Sequence, residues 1–136
     1  MLFSANLAPG NDYEAGVRRI LPLYDNALTS EWLLTFLLDL GVEREDGCLD
    51  WGIESGGTGR EPFLRVAAYF QFSRKRALRV QGETFEFATG ERIRLFFSYR
   101  YGPGQIRALL MRWGLVVVEE WLARSGEEGL FLCERA

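Results

Sequence analysis

From Pro62 the hydrophobic period of this chain becomes two residues, and that change limits the fold more than any other feature. Leu64, Val66, Ala68, Phe70 and Phe72 alternate with Arg65, Ala67, Tyr69, Gln71 and Ser73, so the segment reads as a strand with one apolar face. Turn residues at 73–76, Gln81-Gly82 and Thr89-Gly90 then cut the chain into further strands over 77–80, 84–87 and 91–101. Four consecutive strands with short connections predict an antiparallel meander or hairpin layer.

Helical patterns flank that layer. An apolar run over 2–7, closed by Ala8-Pro9-Gly10-Asn11, predicts a buried strand. Asn11 with Glu14 resembles a capping box, and Val17, Ile20 and Leu21 fall on one helical face that Pro22 is expected to end or kink. A second helix is predicted from Thr29 or Ser30, carrying Leu33, Phe36, Leu37 and Leu40 on one stripe and stopping at Gly41. A charged turn over 43–47 and a short strand over 49–53 lead into Ser55-Gly56-Gly57-Thr58-Gly59, which reads as a surface loop. Gly102-Pro103 opens a third helix with the stripe Ile106, Leu109, Leu110 and Trp113, ended by Gly114. Strands over 115–122 and 130–133, joined by a polar loop, complete the chain. With no repeat and no long linker, residues 1–136 are expected to form a single α+β domain.

Composition narrows the chemistry. The 136 residues include no histidine, which removes Ser/His and Cys/His nucleophile pairs, histidine metal sites and imidazole acid–base work. Nineteen acidic against sixteen basic residues give a net charge of −3, which argues against a nucleic-acid partner; all the basic residues except Lys75 are arginine. Cys48 and Cys133 have no second thiol at metal spacing, so a reducing, cytoplasmic setting and no metal site are expected. No positively charged leader and no apolar run near the ~20 residues of a spanning helix are present, so no membrane association is expected.

Most motifs have a plain reading. The glycine-rich segment lacks a Gly-Lys-Ser/Thr ending and a following helix, and no Gly-x-Gly-x-x-Gly joins a strand to a helix, so no phosphate or adenosyl-cofactor loop is read here. Arg74-Lys75-Arg76 with Arg79 fits a solvated hairpin tip better than an RNA surface, and Glu119-Glu120 and Glu127-Glu128 read as charged surface. The strand over 91–101 says more. Ile93, Leu95, Phe97, Tyr99 and Tyr101 share one face, so Arg92, Arg94, Phe96, Ser98 and Arg100 share the other. That second face is either solvated, with one stray phenylalanine, or the wall of a pocket for a small polar substrate.

The order of the pieces resembles a known family. Leu23-Tyr24-Asp25-Asn26 before a helix, Thr84-Phe85-Glu86-Phe87 with Gly90-Glu91, Phe97-Ser98-Tyr99-Arg100-Tyr101, then Gly114-Leu115 to Trp121 and Gly129-Leu130-Phe131-Leu132 are similar to the C-terminal portion of the histidine-specific S-adenosylmethionine-dependent methyltransferases. That family includes the ergothioneine-pathway histidine Nα-methyltransferase. The resemblance implies a partial Rossmann-like methyltransferase sheet, of which 2–7, 115–122 and 130–133 are the last strands, with an inserted antiparallel substrate-binding layer and about three helices. It implies S-adenosylmethionine as cofactor, gripped by strands and a glycine-rich loop outside these residues and not by this chain alone.

For the site, the resemblance places Tyr24 on the carboxylate of an amino-acid substrate and the family's late-strand serine on Ser98, both expected to contact substrate; Arg100, on the same strand face, is a further candidate contact. An acidic residue that helps select histidine in the family is replaced by Phe96, which implies a more apolar or aromatic acceptor. The function expected is therefore substrate recognition within a methyltransferase, by a chain inactive on its own. Two alternatives stand beside it: a free-standing small-ligand or protein-binding module that lost its cofactor half, and a purely structural dimerisation domain. The strand over 2–7 is expected to leave an unpaired edge, covered by a second copy in a homodimer, by the rest of a longer polypeptide, or by a separately encoded partner carrying the cofactor half.

Overall fold

The structure, a computed structural model, describes residues 1–56 and 63–136. Its elements are β1 (Leu2–Asn6), α1 (Tyr13–Tyr24), α2 (Ala27–Asp39), a 3-10 turn (Arg44–Asp46), β2 (Gly47–Gly56), β3 (Phe63–Phe72), β4 (Arg76–Val80), β5 (Glu83–Phe87), β6 (Arg92–Tyr99), α3 (Pro103–Met111), β7 (Leu115–Leu122) and β8 (Glu128–Arg135). The class is α+β, with three α-helices among the described residues and the strands ordered β1-β8-β7, β2-β3-β6 and β4-β5. Of the glycine-rich segment, Ser55 and Gly56 end β2, and 57–59 lie outside the described residues. The chain divides into two compact units, Met1–Ile20 with Ile53–Val66 and Ser98–Ala136, and Leu21–Gly52 with Ala67–Phe97.

The first unit is built on the β1-β8-β7 sheet. β1 and β8 pair antiparallel, with Phe3 opposite Phe131 and their rings stacked at 5.5 Å. Alternation sends Phe3 and Ala5 to the covered face, where they meet the buried Leu7, Ile106, Phe131 and Cys133, while Leu2 remains exposed. The other side of β1 is the sheet edge; at its end Tyr101 N–H donates to Asn6 C=O (3.1 Å) and Ala8 N–H to Tyr101 C=O (3.0 Å). α1 is capped by Asp12, whose Oδ1 accepts from Ala15 N–H (3.0 Å), rather than by Asn11. It runs through Pro22 to Tyr24, contrary to expectation. The carbonyl that loses its donor there belongs to Arg18, an exposed residue that water can satisfy. In α3 Pro103 fills the first turn and Ile106 is buried, but Trp113 is exposed, because the helix ends at Met111 and the chain turns to Gly114 at φ 68°.

The second unit has its own core of Leu37, Val42, Phe70, Phe72 and Leu78, against which Leu34, Leu49, Phe87, Ile93 and Leu95 pack. α2 starts two residues earlier than the spacing predicted, because Asn26 is the cap: its Oδ1 accepts from Thr29 N–H at 3.0 Å. Its buried stripe is Leu33 and Leu37, whereas Phe36, expected on that stripe, is exposed. Of the expected meander or hairpin layer, the hairpin is found, but the four strands do not form one meander. β4 and β5 form a hairpin whose turn residues Gln81 and Gly82 both have positive φ, 49° and 89°. β6 instead lies beside β3, held at the corner by Gly90 N–H to Phe72 C=O (2.7 Å) and Phe72 N–H to Glu91 C=O (2.9 Å).

The charged turn over 43–47 hides a buried anion. Asp46 is fully buried; its Oδ2 accepts from Glu43 N–H (2.7 Å), its Oδ1 accepts from Arg74 Nε (2.6 Å), and Arg76 Nε forms an ion pair with Oδ2 at 3.1 Å. Burial alone would raise its pKa, but the Glu43 N–H bond and the two guanidinium groups prevail and hold the carboxyl below its ordinary value. Gly47 follows because nothing larger fits: a Cβ there would sit 2.1 Å from the Gln71 carbonyl oxygen.

Candidate functional site

Tyr24, the residue that the resemblance places on the substrate, is the last residue of α1, and the Asp-Asn that follows explains how it is held. Asn26 caps α2 with its oxygen, while its Nδ2 donates to the carbonyls of Leu23 (2.8 Å) and Tyr24 (3.3 Å). One side chain thus ties the end of one helix to the start of the next and fixes the backbone of Tyr24. The Tyr24 ring lies 5.1 Å from the Phe96 ring and 6.2 Å from Trp51, and Trp51 and Phe96 are 5.8 Å apart. Trp51 is anchored by Nε1–H donating to Ser30 Oγ (3.3 Å). Three rings at these separations form an apolar, polarizable wall with two polar edges, a phenol and an indole.

Ser98 and Arg100 follow Phe96 at two-residue steps and belong to the first unit. Ser98 is buried and its Oγ accepts from Asn6 Nδ2 at 3.4 Å. Arg100 is buried too; one of its guanidinium nitrogens donates to Glu127 C=O at 3.4 Å. Its backbone is fixed on both sides, with its N–H donating to Leu64 C=O (3.0 Å) and its C=O accepting from the Tyr13 hydroxyl (2.7 Å), which in turn accepts from Leu64 N–H (2.8 Å). Burial, the largest influence, raises the Tyr13 pKa, so this hydroxyl remains a neutral donor. Beside it Arg65 donates to Glu54 Oε1 (2.7 Å) and to the Tyr99 hydroxyl (3.1 Å).

Tyr24 and Phe96 are therefore in direct ring contact within one unit, and Ser98 and Arg100 are buried in the other. The face of β6 that allowed either a solvated or a pocket reading is covered at these two positions. Trp51, Asn6 and Tyr13 were not singled out by the sequence, and within the run over 2–7 Asn6 shares its polar character with Ser4, so nothing set it apart. The basic turn is engaged internally: Arg74 and Arg76 bind Asp46 and Glu43, and Lys75 pairs with Glu86 at 3.7 Å. Among the described residues no group of three acidic or thiol side chains is placed to hold a metal ion, and no helix is long and apolar enough to cross a membrane.

No curated protein matches this chain. The sequence model of one family, described as histidine-specific methyltransferase, SAM-dependent, matches residues 60–135, a stretch that includes Phe96, Ser98 and Arg100 and runs from just before β3 to the end of β8. That match spans more than half of the chain, agrees with the motif order read from the residues, and shows that the chain belongs to the histidine-specific S-adenosylmethionine-dependent methyltransferase family.

Proposed function

We propose that this chain supplies acceptor recognition to an S-adenosylmethionine-dependent N-methyltransferase, and that the acceptor is an amino acid or related amine with an apolar or aromatic side chain. The observation that carries this reading is the packing of Phe96 against Tyr24 and Trp51, at a position where the resemblance expects a carboxylate. A carboxylate there would accept hydrogen bonds from an imidazole; a phenyl ring cannot, and burying a polar ring against it leaves ring nitrogens unsatisfied. An apolar or aromatic side chain has no such cost.

In this reading the Tyr24 hydroxyl donates to the acceptor's carboxylate, and Phe96 and Trp51 pack on its side chain. The contribution of these residues is alignment and exclusion of water: the acceptor amine is held with its lone pair directed at the reacting carbon. The antiparallel order β1-β8-β7, with β1 at the edge, supports placing these strands last in a larger methyltransferase sheet.

This reading places the cofactor on other polypeptide, and the entrances to α1 and α3 support it. At the entrance to α1 the space that a glycine cradle would offer is filled by the chain: a Cβ on Gly16 would meet the Pro9 carbonyl oxygen at 2.5 Å, and the free N–H of Ala15 is taken by Asp12. At the entrance to α3, Gly102 N–H donates to Gln105 Oε1 at 2.8 Å. Cofactor binding is accordingly assigned to polypeptide beyond these residues, on this or another chain, and turnover by the 136 residues alone is expected to be absent.

Titration calorimetry with L-phenylalanine, L-tryptophan and L-histidine tests the reading. The aromatic acids should bind at least tenfold tighter than histidine, about 1.4 kcal/mol, and Phe96→Glu should narrow or invert that ratio. Tight histidine binding by the unsubstituted chain, or a Phe96→Glu variant with an unchanged ratio, would refute it.

A further inference from the structure

α2 is apolar on nearly all sides, yet one of its faces is largely exposed among the described residues. Leu28, Trp32 and Phe36, spaced i, i+4 and i+8, are 83%, 67% and 59% exposed. They form a ridge of roughly 12 Å along the helix. Beside the ridge runs a cleft of about 400 Å³ lined by Trp32, Leu33, Thr35, Phe36, Asp39 and Leu95. A helix apolar all round is a helix that expects cover.

Charge says what the cover is. α2 carries only two ionisable groups, Glu31 and Asp39; Glu31 is bound by Arg44, but no ion pair among the described residues reaches Asp39. Asp39 is the last residue of the helix, where the dipole already opposes a negative charge and no basic residue stands in the last turn. A cation from outside would relieve both.

A second copy does not supply it. Crossing two α2 helices antiparallel at Trp32 sets Asp39 opposite Asp25 of the other copy, and crossing them parallel sets Asp39 against Asp39. A single basic helix laid in the cleft, anchored by a few side chains at helical spacing, meets both the ridge and Asp39.

We infer that this face docks an amphipathic helix of another polypeptide, apolar along one side and carrying lysine or arginine where it passes Asp39. The probe is a fluorescein-labelled synthetic helix of roughly four turns with leucines at i, i+4 and i+8 and two lysines at one end, titrated by anisotropy with the full chain. A second peptide has glutamates in place of the lysines. The unsubstituted chain should bind the lysine peptide about tenfold or more tighter than the glutamate one, and Asp39→Lys should invert that order. Phe36→Asp, at an exposed position, should weaken both about tenfold while the far-ultraviolet circular dichroism is unchanged. Equal binding of the two peptides, or no saturable binding of either, overturns the inference. So does a dimer in sedimentation equilibrium that Phe36→Asp converts to monomer, since the cover would then be a second copy.

Discussion

Replacing Asp46 by asparagine isolates the one buried charge on which the second unit is assembled. The change keeps shape and one acceptor oxygen, so either Glu43 N–H or Arg74 Nε can still be satisfied. The other acceptor becomes an NH₂ group aimed at guanidinium donors. Removing one partner of a fully buried pair costs about 3–5 kcal/mol. Here Asp46 is fully buried but the Arg74 side chain is 49% exposed, so water recovers part of that loss. A cost of about 2–3 kcal/mol is expected once this screening is allowed for. For a chain of this size that is a fall of roughly 6–15 °C in Tm. Arg74→Gln should cost about 1 kcal/mol, because Arg76 stays in place.

The pH dependence gives the sign. The folded pKa of Asp46 lies below its unfolded value, so its contribution is complete above the ordinary carboxylate range and is lost as pH falls through the folded value. Wild-type and Asp46→Asn midpoints, measured by thermal circular dichroism, should differ most near neutrality and converge below about pH 4. Equal midpoints at neutral pH, or a gap that widens on acidification, would refute the reasoning.

Tyr13→Phe removes the hydroxyl that bridges Arg100 C=O and Leu64 N–H, so about 1–3 kcal/mol should be lost in urea unfolding. Gly47→Ala drives a methyl group into the Gln71 carbonyl, and since backbone rather than a flexible side chain is struck, a loss of at least about 3 kcal/mol or failure to fold is expected in expression and melting trials.

Local signals were readable and non-local ones were not. The strand over 115–122 was predicted to the residue, and the end of α2 followed from Gly41, at positive φ, because a cap is decided by its own few residues, whereas α3 stops at Met111, short of the predicted stripe residue Trp113. Strand partners are decided elsewhere: a two-residue turn at Gln81-Gly82 closes β4 on β5, and β6 returns to β3, which no spacing in β6 announces. Period two divides β6 into two faces without saying which is covered. In the second unit Ile93 and Leu95 pack on the core, whereas in the first Ser98 and Arg100 are the buried ones, so the covered set shifts from odd to even numbers along one strand. Within the candidate site, Tyr24 and Phe96 were identified from motif order, but Trp51 joins them only in three dimensions. Asp46 looked like surface charge because a buried carboxylate and an exposed one have the same letter.

Lys75 stands alone as an ammonium group among arginines, in the connection between β3 and β4, where both it and its partner Glu86 are largely exposed. Guanidinium groups are too weakly nucleophilic to compete for acylating reagents, so within these residues an amine-directed dye has one side-chain destination. The fold thus carries one side-chain address for a fluorophore or surface tether beside the α-amino group, and the arginine-for-lysine exchange at that position reports what the side chain contributes.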